Sequence, residues 1–177
     1  MAVRAPPILE HMASAIKRVD PGENEQLASL EARTKQPSHF LRVMANRPEV
    51  LKTFPPLYGA IMGPGSVDRR LKEALYLVTS YANRCAFCTA AHEAGAGKAG
   101  LTADDLAALR EERDTGFSEA ERAAIAYARE LTRTANAVQT RNALRPHFSD
   151  EQIVEMTLSI TMANFTNRFN NGLEIEP

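Results

Sequence analysis

The spacing of apolar residues is the feature of this chain that most restricts its fold. Between Val67 and Ala82, apolar side chains recur at the i, i+3, i+4 and i+7 positions that form one buried face of a helix. No alternation of β-branched and polar residues, which would indicate a strand, lasts more than a few positions. Alanine, the strongest helix former, is abundant. The sequence therefore predicts an all-α, single-domain helical bundle of about seven or eight helices.

Local signals place the ends of several helices. Ser38 suits the cap of one helix and Pro48 the first turn of the next, and a first helix is expected over residues 22–34. The segment PPLYGAIMGPG, residues 55–65, is interpreted as a broken helix or a loop, because proline and glycine interrupt helices. Three later starts have the spacing of a capping box: Thr102 with Asp105, Ser118 with Glu121, and Ser149 with Gln152.

Length and charge exclude several classes of protein. The chain has 177 residues, enough for one domain with a buried core, and its net charge of −1 indicates neither a nucleic-acid nor a membrane partner. No apolar run reaches the roughly 18 residues of a transmembrane helix. Prolines and charges replace the apolar core of a signal peptide, so we expect a cytoplasmic protein. We expect an N-terminal arm over residues 1–21 and an all-α domain over residues 22–177, with its core at residues 66–135.

The segment CAFCTAAHEAG, residues 85–95, contains both cysteines of the chain, Cys85 and Cys88. In a reducing compartment such a pair is more often catalytic or metal-binding than a structural disulfide. At the start of a helix, the unpaired N–H groups and the helix dipole favour a thiolate over a thiol. The pair is therefore a candidate redox dithiol.

His92 and Glu73 are candidate partners of this pair. His92 follows Cys88 by four residues, so the two lie on one helical face, and the imidazole is a candidate base for the thiol. Glu73 lies beside the buried stripe of the preceding helix, where burial would raise its pKa. On a straight helical hairpin, Glu73 lies roughly 15 Å and His92 roughly 10 Å from the turn, so they meet only if the helices pack in suitable register.

A metal site is the main chemical alternative. Cys85, Cys88 and His92 are plausible zinc ligands, but a structural zinc requires four, and the chain has no second CxxC or HxxxH. The other histidines, His11, His39 and His147, each stand alone in the sequence. We therefore expect neither a metal nor another cofactor.

Taken as a set, Glu73, Cys85, Cys88 and His92 resemble the signature of the alkylhydroperoxidase D-like proteins of the carboxymuconolactone decarboxylase superfamily. The likeness covers roughly residues 38–175 and includes EALYLVTSYANRCAFCTAAHEAGAGKAGLT, FSEAERAAIAYARELTR and NRFNNGLEIEP. The resemblance implies an all-α fold of the alkylhydroperoxidase D-like type that assembles as a homo-oligomer, a trimer or a hexamer. It also implies peroxidase chemistry performed by the cysteine pair.

The resemblance assigns a role to each residue of the signature. Cys88 attacks the peroxide and becomes a sulfenic acid, and the more exposed Cys85 donates a proton and closes the disulfide. Glu73 and His92 form a proton relay to the thiol. In thioredoxin-type CxxC motifs the first cysteine is the nucleophile instead, which leaves open that Cys85 attacks protein disulfides while Cys88 meets peroxide.

One position departs from the pattern of the resemblance. The alkylhydroperoxidase D proteins proper often have a histidine immediately before the second cysteine, where this chain has Phe87. The chain is more similar to the peroxidase-related members with unassigned substrates than to the lipoamide-linked enzymes. The decarboxylase branch fits less well, because its lactone chemistry does not use a cysteine pair.

These observations predict a cofactor-free thiol peroxidase that reduces hydrogen peroxide or organic hydroperoxides in antioxidant defence. Its expected partners are the peroxide and an external dithiol reductant: a lipoyl protein, a thioredoxin-like protein or a low-molecular-weight thiol. Phe87, Tyr81 and Leu77 are expected to line the approach to the cysteines. The alternatives are a dithiol–disulfide exchanger, a zinc-binding or assembly protein without catalysis, and a redox sensor.

Overall fold

The computed structural model describes residues 16–177, which form nine α-helices and no strand. This confirms the all-α prediction. The first 15 residues of the predicted N-terminal arm, with His11, lie outside the described residues. The helices are α1 Glu25–Thr34, α2 His39–Met44, α3 Pro48–Met62, α4 Arg69–Ala82, α5 Ala86–Ala96, α6 Ala103–Arg110, α7 Glu119–Thr134, α8 Val138–Leu144 and α9 Asp150–Gly172. None of them is both long and apolar enough to cross a lipid bilayer.

Helix α4 is the centre of the bundle. Asp68 caps it by accepting a hydrogen bond from the backbone N–H of Leu71 at 2.8 Å. Its predicted apolar face is buried, with Leu75 fully inaccessible to solvent and Val78 2% exposed. Because α4 packs against α5, α7 and α9, residues from three helices meet along it.

The capping signals correctly marked the helix starts. Thr102, Ser118 and Ser149 each form a capping box with the residue three positions later. Ser38 caps α2 and Pro48 opens α3, as predicted. Helix α8 was not predicted. It begins without a side-chain cap and buries only Leu144, so its sequence contains neither a capping signal nor a periodic apolar face.

Residues 55–62 belong to helix α3, which is continuous through Pro55 and Pro56. Proline at position 55 has no N–H for the carbonyl of Leu51, four residues earlier. The side-chain amide of Gln26 on α1 donates to that carbonyl instead, at 3.4 Å. A neighbouring helix thus satisfies one of the backbone groups that the two prolines leave free.

The buried side chain of Lys72 joins the end of α3 to α4 and α9. Its Nζ donates to the carbonyls of Ile61 at 3.1 Å and Gly63 at 2.6 Å, and it forms an ion pair with Glu155. The other carboxylate oxygen of Glu155 accepts the backbone N–H of Ser66 at 2.7 Å. This arrangement fixes the C-terminal half of α3, which carries Tyr58.

Candidate active site

The two cysteines lie where α4 turns into α5. Cys85 is the N-cap residue of α5, and its Sγ accepts a hydrogen bond from the backbone N–H of Cys88 at 3.3 Å. Both are free thiols, with their sulfur atoms 2.6 Å apart. The expectation that Cys85 is the more exposed cysteine is wrong for this chain: 1% of Cys85 and 3% of Cys88 are exposed, because α4 and α9 cover the turn.

The surroundings make Cys88 the thiolate of the pair. A hydrogen bond from the Cys85 thiol lowers the pKa of Cys88 to about 6, assisted by the amides of Asn170 and Asn167 and by the charge of His92, and opposed by burial. The same hydrogen bond to Cys88, together with burial, raises the pKa of Cys85. The bonding partners thus distinguish a candidate nucleophile, Cys88, from a thiol that retains its proton, Cys85.

Asn170, on α9, is a site residue that sequence reasoning missed. Its Nδ2 donates to the sulfur of Cys88 at 3.2 Å, and the residue is 2% exposed. Its Oδ1 is buried and has no hydrogen-bond partner among residues 16–177. The segment NRFNNG, which contributed to the resemblance, contains both Asn167 and Asn170 and was the available signal.

Glu73 and His92 meet across the α4–α5 pair. The Nδ1 of His92 lies 2.7 Å from Oε2 of Glu73, and both side chains are 13% exposed. Because an ionised carboxylate only accepts hydrogen bonds, Nδ1 carries the proton and Nε2 is free to exchange one. The structure therefore places the two residues as a relay requires, and their catalytic roles remain a prediction.

Two tyrosines hold the other faces of His92. The ring of Tyr76 stacks on the imidazole, with centroids 3.6 Å apart and an angle of 17° between the planes. The hydroxyl of Tyr58 on α3 lies 3.3 Å from Nε2 of His92. Burial raises the pKa of Tyr58, so its phenol remains a hydrogen-bond donor at neutral pH. Neither tyrosine was predicted as a site residue.

A cavity of about 370 Å³, here called the first cavity, opens onto Cys88 and His92. Its walls are mostly apolar and aromatic, with Phe87 among them as expected. The expectation was wrong for Leu77, which is fully buried in the core. Tyr81 lines a different cavity, which reaches Cys85. The other lining residues are Leu30, Thr34, Ser38, Phe40, Leu41, Phe54, Pro55, Tyr58, Gly59, Tyr76, Ala91, Thr166 and Asn170.

The candidate zinc ligands do not form a metal cluster. Within residues 16–177, no three His, Cys, Asp or Glu side chains are placed to share an ion. His92 directs Nδ1 to Glu73 and Nε2 toward Tyr58 rather than toward the sulfurs.

Residues 48–130, which include all four predicted site residues, match the carboxymuconolactone decarboxylase family. The chain belongs to this family. It is 30% identical over 111 residues to the uncharacterized protein YdfG of Bacillus subtilis, a match that covers 59% of this chain and 74% of YdfG. The family match confirms the resemblance on which the predicted roles depend.

Solved structures show the same fold. Agrobacterium tumefaciens ATU0492, a protein of unknown function provisionally assigned to antioxidant defence as AhpD, is 27% identical with a TM-score of 0.69, over 75% of this chain and 94% of that one. A variant of the debrominase Bmp8 in complex with 2,3,4-tribromopyrrole is 20% identical with a TM-score of 0.78, over 93% and 92% of the two chains. At 20% identity, the likeness to Bmp8 shows a shared fold and nothing about activity.

Proposed function

We propose that this family member is a thiol-dependent peroxidase that reduces organic hydroperoxides, and also hydrogen peroxide. One observation carries the proposal: Cys88, whose pKa is lowered to about 6, faces an apolar cavity together with His92. A thiolate attacks the O–O bond, and an imidazole nearby serves the proton transfers. The apolar walls favour an alkyl or aryl hydroperoxide over the smaller and more polar hydrogen peroxide.

The reaction proceeds in two steps on the protein. The thiolate of Cys88 attacks the distal oxygen of the hydroperoxide, so that an S–O bond forms, the O–O bond breaks and an alkoxide leaves. The alkoxide takes a proton from His92 or Tyr58, while Glu73 holds the imidazole in position. Cys85 then attacks the sulfenic acid on Cys88, forms the disulfide and releases water.

Two external thiol groups restore the reduced pair and are themselves oxidised to a disulfide. The proposal requires no cofactor. It retains the expected reductants, a lipoyl protein, a thioredoxin-like protein or a low-molecular-weight thiol, and the expected cytoplasmic setting.

Titration of the reduced protein with cumene hydroperoxide tests the proposal. We expect wild type to lose both thiols to an intramolecular disulfide, Cys85→Ser to stop at a sulfenic acid, and Cys88→Ser not to react. If hydroperoxide leaves both thiols intact while oxidised lipoamide consumes them, the protein is a dithiol–disulfide exchanger and the peroxidase proposal fails.

The aromatic walls of the first cavity favour a second candidate, reductive dehalogenation of a small aromatic compound. Rings of Phe40, Phe54, Tyr58, Tyr76 and Phe87 surround the space next to Cys88, and flat aromatic ligands pack well against such rings. In this reaction an aryl halide and two thiols give the arene, a halide ion with its proton, and a disulfide. Release of bromide from tribromopyrrole by the reduced protein, at a rate exceeding cumene hydroperoxide reduction, would favour this candidate.

A further inference from the structure

A second cavity, of about 480 Å³, reaches the other cysteine. It is lined by Cys85 and includes three charged side chains, Arg84, Glu93 and Arg110, and shares no lining residue with the first cavity. Whereas the first cavity has apolar walls, this one has a charged rim. The two cysteines of one redox pair therefore face two different cavities.

The two cavities lie on opposite faces of α5. At 100° per residue, positions 87, 88, 91 and 92 cluster on one face of the helix, and they line the first cavity. Positions 86, 89, 90 and 93 centre about 180° away, and they line the second. A molecule in one cavity is thus separated from the other by the helix itself.

Disulfide exchange requires a defined direction of attack, so the separation of the two cavities decides which cysteine a reductant can reach. An attacking thiolate approaches in line with the bond that breaks, so a thiolate that attacks Cys85 arrives from the side remote from Cys88. The more acidic thiol is the better leaving group, and the asparagine amides make this Cys88. Attack on the disulfide is therefore favoured at Cys85, on the side of the second cavity.

The charges of the second cavity indicate the class of thiol. Glu93 is paired with Arg110 and accepts a hydrogen bond from Tyr81 at 2.6 Å, so these two opposite charges offset each other. Arg84 is exposed and forms no ion pair or side-chain hydrogen bond with any residue in the range 16–177. Considering residues 16–177, one uncompensated positive charge remains beside Cys85.

Building on the proposed function, we propose that the second cavity is the entry site of the reductant, a low-molecular-weight thiol that carries a carboxylate bound by Arg84. The thiolate of the first reductant molecule attacks Cys85, so that a mixed disulfide forms, the Cys85–Cys88 bond breaks and Cys88 leaves as a thiolate. A second thiolate attacks the reductant's own sulfur, releases the external disulfide and returns Cys85 as a thiolate, which takes a proton. Two thiols lose two electrons, and the protein pair gains them.

Two reductants of matched structure test whether Arg84 attracts the carboxylate of the reductant. With the protein disulfide prepared by diamide, reduction by mercaptopropionate is compared with reduction by its neutral amide, mercaptopropionamide, at equal thiolate concentration. Arg84→Glu is expected to slow the acid about tenfold more than the amide. Arg141→Glu, the same change on an exposed arginine of α8 that lines neither cavity, is expected to leave both rates unchanged. Equal slowing of the acid and the amide by Arg84→Glu, relative to wild type, would overturn the proposal.

Two neighbouring alanines test the two entrances. Ala90 lines the second cavity and Ala91 the first, and both are exposed, so a larger side chain is accommodated without disturbing the core. Ala90→Phe is expected to slow reduction of the diamide-formed disulfide severalfold, and Ala91→Phe to slow oxidation by cumene hydroperoxide. Slowing of reduction by Ala91→Phe but not by Ala90→Phe would contradict the second entrance. If hydroperoxide oxidises neither variant nor wild type, the peroxidase proposal fails, and the thiol rates still decide the second cavity.

Discussion

The sulfur of Cys88 depends on amides supplied by the last helix of the chain. Asn170 donates to it at 3.2 Å, and Asn167 contributes in the same direction. Hydrogen bonds to the charged form of a group lower the pKa of an acid. The thiolate of the proposed nucleophile is therefore stabilised by residues about 80 positions away from it in the sequence.

Asn170→Ala is expected to raise the pKa of Cys88 by about one to two units, the equivalent of one lost charge-assisted hydrogen bond. The thiolate fraction rises with pH, so the wild-type rate of oxidation should reach half its maximum near pH 6 and that of the variant at a higher pH. Ultraviolet absorbance of the thiolate during a pH titration measures this directly. Asn171→Ala, on an exposed neighbour that donates to the carbonyl of Asn83, is the control and should leave the pKa of Cys88 unchanged.

In the proposed reaction Glu73 acts through His92, as a positioning residue. Glu73→Gln is expected to lower the rate of oxidation by cumene hydroperoxide about tenfold to a hundredfold, because the imidazole loses the carboxylate that fixes its tautomer. Glu73→Asp should recover part of the rate. An unchanged pH–rate profile in Glu73→Gln would show that the carboxylate does not influence proton transfer.

Residues of the site differ in how far the sequence reveals them. The spacing of Cys85, Cys88 and His92 within one helix is a local signal, so these three were identified before the structure. Glu73 was identified through the resemblance, and only the packing of α4 on α5 shows that it reaches His92. Tyr58 and Asn170 come from α3 and α9, and no short-range pattern connects them to the cysteines.

At the scale of the helix, the same distinction between local and distant causes applies. Helix starts were predicted well because a capping box is complete within four residues. Helix α3 was misinterpreted because the partner of the carbonyl that Pro55 leaves free, Gln26, belongs to another helix. A rule based on proline alone predicts a break in the helix. In the structure, a hydrogen bond from another helix replaces the one that Pro55 removes.

The ion pair between Lys72 and Glu155 leads to a prediction about stability. Lys72→Met is expected to lower the free energy of unfolding by about 3 kcal/mol, because it leaves a carboxylate and two carbonyls without their buried partner. Lys52→Met, at an exposed position of α3, should change it by less than about 0.5 kcal/mol. Urea denaturation followed by circular dichroism measures both, and similar values for the two variants would contradict this role of Lys72.

For the whole molecule, the surface of α9 bears on assembly. Val154, Leu158 and Phe165 are 58%, 44% and 48% exposed. They lie within about 40° of one another around the helix, so they form one apolar stripe. Such a stripe on an exposed helix is typical of a contact surface, and it fits the homo-oligomer, trimer or hexamer, expected from the resemblance.

We propose that this stripe contacts another copy of the chain. Leu158→Lys is expected to weaken self-association at least about tenfold, since it places a charge in an apolar contact. Val138→Lys changes a similarly exposed apolar residue, 47% exposed on α8 and outside the stripe, and should leave the assembly intact. Sedimentation velocity over a range of concentrations distinguishes the two, and a wild-type monomer at all concentrations would contradict the proposed contact.

The closeness of the two sulfur atoms also affects how this protein tolerates oxidative stress. A sulfenic acid on Cys88 has two fates: capture by Cys85, or reaction with another peroxide to give an irreversible sulfinic acid. Capture requires no unwinding of α5, because the two sulfur atoms are already in contact. The branching between these fates therefore strongly favours the disulfide. In the proposed peroxidase reaction, overoxidation should therefore not inactivate the protein, which suits a scavenger that works at high peroxide flux better than a sensor that records such flux by its own inactivation.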